Sequence, residues 1–287
     1  MRLATIKTGD AETAAVVLPE GALSLAEINV AQGADWPTEV FTLLESGRAH
    51  DFQSWFQGLD EATMEDLKGG ASPERIEYAP LYRRPRKIWG IGLNYTEHAE
   101  DLSENAPAEE PASFMRPDTT IIGPGDEIRL PSQSERVTGE AELAIIIGRE
   151  AKNVSVEDAP AVIAGFTTVL DMTAEDILRR NPRYLTRSKS FDTFFSFGPE
   201  LVTPDEVNDV DTLEVATVLN GEIHRSNTVS NMTFSPWELV AFHSAVMTLL
   251  PGDIISTGTP GAVVIRNGDA LECRITGFET LSNPVVR

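Results

Sequence analysis

The chain has 287 residues with 45 acidic and 23 basic side chains, a formal charge of −22, so nucleic acid and anionic membrane surfaces, which would repel it, are excluded as partners. Its one cysteine, Cys273, has no internal partner and lies in the apolar run Leu271–Ile275, which predicts a reducing, cytoplasmic setting and a plain core role. No run approaches the roughly 18 apolar residues of a membrane span, and the start Met1–Asp10 has no long apolar signal region.

In chain order, residues 1–82 read as a small N-terminal α+β domain. Leu3–Ile6 and Ala14–Leu18 form a predicted hairpin, and Pro37–Leu44 and Phe52–Phe56 predicted helices. The basic connector Arg83-Arg84-Pro85-Arg86-Lys87 opens a second domain, 83–287. There Lys87–Leu102 reads as a short strand, a glycine break and a helix start. On such a helix His98 and Asp101 share a face. A carboxylate beside an imidazole orients it and raises its basicity, as a general base for water requires. Gly90-Ile91-Gly92 lacks the third glycine of a dinucleotide loop. The acidic, proline-bearing stretch Ser103–Pro111 is either a lid or a plain surface loop.

From Ile121 onward, short apolar runs separated by Gly-Asp turns predict a largely β domain, with helices at Val156–Ile163 and Trp237–Leu249. Val137–Gly148 is the most informative run, because Glu140 and Glu142 alternate with apolar residues and leave one strand face together, about 6.5–7 Å apart. Two carboxylates so placed call for a cation or for one raised pKa; the alternative is a solvated strand edge. A second apolar strand, Ala161–Ala174, carries Asp171 near its end. Three carboxylates without Cys or His make an oxygen-only donor set suited to Mg²⁺ or Mn²⁺. Lys189, one of only five lysines, stands among small polar and aromatic residues and is a candidate for holding negative charge.

The order and spacing of several motifs carry a resemblance. They are Gly92-Leu93-Asn94-Tyr95 with His98, Phe114-Met115-Arg116-Pro117, Gly123-Pro124-Gly125-Asp126, Glu140-Ala141-Glu142, Asp171-Met172-Thr173-Ala174, Lys189-Ser190-Phe191-Asp192-Thr193, Gly198-Pro199, Asn220-Gly221-Glu222, Pro251-Gly252-Asp253 and Thr257-Gly258-Thr259-Pro260. Over about the last two hundred residues the chain resembles the fumarylacetoacetate hydrolase family. That resemblance implies an α+β, largely β fold, a mixed β-sandwich roll, usually in a homodimer. It also implies Mg²⁺ or Mn²⁺ on Glu140, Glu142 and Asp171, with Lys189 steadying an enolate and His98, paired with Asp101, activating water. Tyr95, Arg116, Thr257 and Gly258 would contact a small anionic oxo-acid substrate, the last two holding its carboxylate.

Asp101 replaces the family's usual Glu, and Glu175 and Leu178 stand where many members carry Arg and Gln. Those substrate contacts are therefore lost, Arg179 or Arg180 being candidate replacements, and an acidic Glu175 would make small dianions such as oxaloacetate poor substrates. The loop from Pro260 to Asn267 is also shorter than usual. The function so implied is metal-dependent hydrolysis of a carbon–carbon bond in a 2-oxo or 1,3-diketo acid. Isomerisation or decarboxylation on the same site is the alternative, and a non-catalytic binding protein the second.

Overall fold

The computed structural model describes residues 1–71, 76–96, 107 and 109–287. Its N-terminal part contains strands β1 (Arg2–Thr8), β2 (Ala11–Leu18) and β3 (Gly21–Ser24), then helices α1 (Leu25–Gln32), α2 (Val40–Glu45), α3 (Ala49–Gln57) and α4 (Glu61–Gly70). The predicted hairpin is present as β1–β2, and the two predicted helices as α2 and α3. The start of α1 is set by a capping box in which Ser24 and Glu27 satisfy each other's backbone N–H groups, and its end by Gly33 in the left-handed region.

Next come β4 (Ile88–Gly92), β5 (Ala112–Met115), β6 (Ile121–Ile122), β7 (Ile128–Arg129), β8 (Val137–Ile147) and β9 (Ile163–Ala174), then two short helices, α5 (Glu175–Arg180) and α6 (Leu185–Lys189). The chain continues through β10 (Phe195–Val202), β11 (Glu214–Leu219), β12 (Glu222–Thr228), α7 (Pro236–Val246), β13 (Ile254–Ser256), β14 (Ala262–Ile265), β15 (Ala270–Ile275) and β16 (Leu281–Val286). Among the described residues, the larger sheet runs β3-β2-β1-β10-β9-β8-β13-β4-β5, with β14 also on β8 and β6 on β10, and the smaller runs β12-β11-β15-β16-β7. The fold is thus largely β, a mixed sandwich with helices, as the resemblance implies. No helix among the described residues is long and apolar enough to cross a membrane.

Strand alternation explains how a fully buried β8 can carry two glutamates. Val137, Ala141, Leu143, Ile145 and Ile147 join the core shared with the smaller sheet, where Leu271, Cys273 and Ile275 also lie. Gly139 is part of that contact, since a Cβ there would come within 2.3 Å of Leu271. The opposite face carries Ala144 and Ile146, packed with Val169, Phe195 and Phe197 against Leu25, Ile28, Leu43, Leu44 and Phe52 of the N-terminal helices. Glu140 and Glu142 belong to this second face. β1 pairs with β10 antiparallel, Leu3 opposite Leu201, so the first three strands extend the larger sheet directly.

Two expectations are corrected. Val156–Ile163 is not an α-helix: only a 3-10 turn forms at Ala159–Val162, and Ile163 already starts β9. The Val162 carbonyl is claimed by the amides of Gly148 and Arg149, which ties this segment to the end of β8. The predicted Trp237–Leu249 helix stops at Val246, because Met247 is extended and Leu249 pairs with Ala151 in a β-bridge. Cys273 is buried as expected, and burial pushes its thiol up to about 12, a value that keeps it protonated and inert.

Candidate metal centre

The β8–β9 register places Glu140 directly opposite Asp171. Glu142, two residues along, shares their face. One carboxylate oxygen from each lies within 4.8 Å of the other two, and all three residues are buried, Asp171 completely. Three buried like charges at this spacing repel strongly unless cations compensate them. Lys189, the last residue of α6, supplies one: its Nζ donates to Glu140 Oε2 at 2.9 Å and to Asp171 Oδ1 at 2.8 Å. Arg116, just after β5, supplies another through an ion pair with Asp171, and its guanidinium also donates to the Lys189, Phe194 and Met172 carbonyls.

Glu142 is held differently. Ser256 of β13 donates its hydroxyl to Glu142 Oε2, and the Gly258 amide donates to the same oxygen at 3.0 Å. Thr173 donates to Glu140 Oε1 at 3.2 Å. Asp171 Oδ2 has no hydrogen-bond partner among the described residues although it is buried. An orphaned carboxylate oxygen in an all-oxygen cluster is what a hard divalent ion would satisfy, so the donor set fits Mg²⁺ or Mn²⁺.

Burial first, then the charges of Asp171 and Glu140, push the Glu142 carboxyl up to about 8, against the opposing pull of Lys189 and Ser256. For Lys189 the largest influence, burial, lowers the ammonium pKa, yet Asp171, Glu140 and Glu142 together outweigh it and the net direction is upward. The lysine therefore remains charged beside the carboxylates. Its Nζ lies 5.0 Å from the centre of the Phe114 ring.

The other predicted site residues fall in several places. Thr257 is fully buried and spends its hydroxyl on the Leu143 carbonyl, while Asn94 donates to the Thr257 carbonyl and fixes that loop. The Gly258 loop therefore holds a carboxylate of the protein itself, that of Glu142. Tyr95 is fully buried in the core and its backbone bridges to Met232. The side chain of Arg116 is wholly inaccessible, and both its terminal nitrogens are engaged by protein groups. His98, Asp101 and most of Ser103–Pro111 lie outside the described residues.

Glu175 is not the free acid expected from the sequence. It accepts from Arg136 Nε and forms a 2.7 Å ion pair with Arg179, while Arg180 pairs with Asp176. Its negative charge is thereby compensated. Ser256, Thr173 and Asn94 were missed by the sequence reading. Thr173 and Asn94 lie inside the motifs named above, and Ser256 immediately precedes one, but nothing local marks which hydroxyl reaches a carboxylate or which amide fixes the Thr257 loop.

The fumarylacetoacetate (FAA) hydrolase C-terminal family model matches residues 87–286. A human mitochondrial oxaloacetate tautomerase is 38% identical over 212 residues, covering 71% of this chain and 67% of that protein. Maleylpyruvate hydrolase from Sphingobium sp. SYK-6, solved with manganese(II) and pyruvate, superposes with a TM-score of 0.78 at 29% identity, covering 100% of this chain and 99% of that one. 5-Carboxymethyl-2-hydroxymuconate delta-isomerase from Mycobacterium smegmatis does so with a TM-score of 0.75 at 32% identity over 100% of both chains. The relatives thus include a tautomerase, a hydrolase and an isomerase.

Proposed function

The chain belongs to the fumarylacetoacetate hydrolase family, and we propose that it is a divalent-metal-dependent hydrolase that cleaves a carbon–carbon bond in a small 2-oxo or 1,3-diketo acid. The observation that carries this reading is the buried triad Glu140, Glu142 and Asp171 with Lys189 bonded to two of its members. Those three carboxylates would hold Mg²⁺ or Mn²⁺, which would supply Lewis acidity at the oxo-acid end of the substrate.

Lys189 is the positive group beside the oxygen on which charge develops. Two of its three N–H bonds go to Glu140 and Asp171, which leaves one for a substrate oxygen. Arg116 acts behind them as a positioning residue, tying Asp171 to the backbone of Lys189. By the family resemblance, His98 with Asp101 as its partner is the group assigned to remove a proton from water as the water oxygen bonds to the distal carbonyl carbon. The carbon–carbon bond then breaks with its electron pair leaving as an enolate, which is protonated to the 2-oxo acid.

A second reading, proton transfer without water, is favoured by the relationship to the human tautomerase and the mycobacterial isomerase. Turnover on a panel of acylpyruvates, oxaloacetate and hydroxymuconate-type dioates, with and without Mn²⁺, separates the two. Metal-dependent release of two carboxylic products from a diketo acid is the expected result. Isomerised product without cleavage would replace the hydrolase reading with the second one.

The raised Glu142 pKa predicts how metal binding depends on pH. Glu142 must lose its proton to become a ligand, so at pH 7 Mn²⁺ binding should release about one proton, and affinity should rise with pH until about 8 and then level off. In the metal-free protein the sign is opposite. A carboxyl whose folded pKa lies above its ordinary value favours the fold at low pH, and that contribution is lost as pH rises from the ordinary carboxylate range through 8. Calorimetric titration with Mn²⁺ in two buffers of different ionisation enthalpy measures the proton count. No proton release at pH 7 would show that Glu142 is already ionised.

A further inference from the structure

We propose that Arg136 and Arg179, bridged by Glu175, form a subsite at the rim of the metal centre for the distal carboxylate of an extended 2-oxo diacid. This rests on the metal-centred reading above and names its substrate class. The placement follows from strand register. β8 and β9 pair Glu140 with Asp171 and Thr138 with Thr173, and the Glu175 amide donates to the Arg136 carbonyl at 2.9 Å, carrying the ladder one step further. Side chains two residues apart share a face, and the Thr173–Glu140 hydrogen bond identifies that face as the one bearing the carboxylates. From the metal outward the face therefore reads Glu140 with Asp171, Thr138 with Thr173, and Arg136 with Glu175. Four residues of strand separate the Cα atoms of Glu140 and Arg136 by about 13 Å, a span that the arginine side chain shortens when it turns inward.

Charge supports the assignment. Glu175 is buried, with only 11% of its side chain exposed, and its single negative charge is shared by two arginines whose side chains are 44% and 62% exposed. One positive charge is left over, and neither guanidinium has another hydrogen-bond or ionic partner among the described residues. The adjoining segment 175–189 carries Arg179, Arg180, Arg183, Arg187 and Lys189 against only Glu175 and Asp176. Arg183 and Arg187 have no acidic partner among the described residues. In a chain of net charge −22, this reversal of sign beside the carboxylate cluster draws an anionic substrate towards it. A ligand that uses both the metal and the rim needs its carboxylates well apart. Those of oxaloacetate are too close together to span the two, whereas a longer diacid reaches both.

Binding of paired 2-oxo acids to the Mn²⁺-loaded protein tests this without reference to the reaction catalysed. The pairs are 2-oxoadipate with 2-oxohexanoate and 2-oxosuberate with 2-oxooctanoate, and oxalate reports on the metal end alone. The longer diacids are expected to bind about tenfold or more tightly than monoacids of equal length, an effect of one charge-assisted contact. An Arg136→Gln, Arg179→Gln double variant should lose that preference and still bind oxalate. Arg136→Lys, which keeps a cation beside Glu175, preserves the fold if glutamine does not and should retain part of the preference. Equal binding of diacids and monoacids by the parent, or a preference that survives in the double variant, overturns the subsite. Failure of the parent to bind oxalate overturns the metal-centred reading itself, and the subsite with it.

Discussion

Asp171→Ala is expected to lower Mn²⁺ affinity by at least about a hundredfold, since losing even an outer partner of a metal ligand costs about 10–100-fold, and to remove turnover with it. The same substitution should destabilise the protein more than a surface change would. Asp171 is fully buried and is the carboxylate to which both Arg116 and Lys189 are bonded. Removing it leaves the Arg116 guanidinium buried without its counter-charge, which costs about 3–5 kcal/mol. Asp171→Asn retains an acceptor oxygen for both cations and should recover part of that stability without recovering the metal. Glu142→Ala offers a second control, because its partners are the Ser256 hydroxyl and the Gly258 amide and neither is a charge; it should abolish binding and turnover with a smaller stability loss. Calorimetry with Mg²⁺ and Mn²⁺ and thermal melts of the three variants measure both effects. Undiminished metal affinity in Asp171→Ala or Glu142→Ala would place the metal elsewhere.

His98→Ala should leave the metal and the oxo-acid end of the ligand in place, because the carboxylates that would carry the metal are held, among the described residues, by Thr173, Lys189, Arg116, Ser256 and Gly258. Oxalate and Mn²⁺ should bind as they do to the parent, while hydrolysis falls by about 10²–10⁴, the usual contribution of a positioned general base. Asp101→Asn should cost less than removing the imidazole, since it disturbs the orientation and basicity of the ring while leaving it present. Steady-state kinetics on a cleavable diketo acid, paired with oxalate titrations, separates loss of the base from loss of the site. Hydrolysis that survives intact in His98→Ala assigns the activation of water to another group. Proton exchange that survives while hydrolysis is lost would show that the enolate chemistry does not depend on His98.

The alternation of Glu140 and Glu142 with apolar neighbours, and Asp171 at the end of a second apolar run, were legible because side-chain facing in a strand is a local property of period two. The same holds for the hairpin at the start of the chain, for the helices near Val40 and Phe52, and for the largely β character after Ile121. The order and spacing of the sequence motifs likewise carry the family. The tertiary structure decided which carboxylates meet and what each one touches. Pairing Glu140 with Asp171 requires the exact register of two strands whose partners are 31 positions apart, and composition does not encode register. Arg116 is engaged by protein groups because the fold brings it against Asp171 and three backbone carbonyls. Gly258 gives its amide to Glu142 for a comparable reason: β13 lies beside β8. Glu175, which reads as a repulsive acid along the chain, is neutralised by an arginine just before β8 and by one a helical turn ahead. Charge in a sequence is only a count, whereas its effect depends on distance and burial, and the fold sets both.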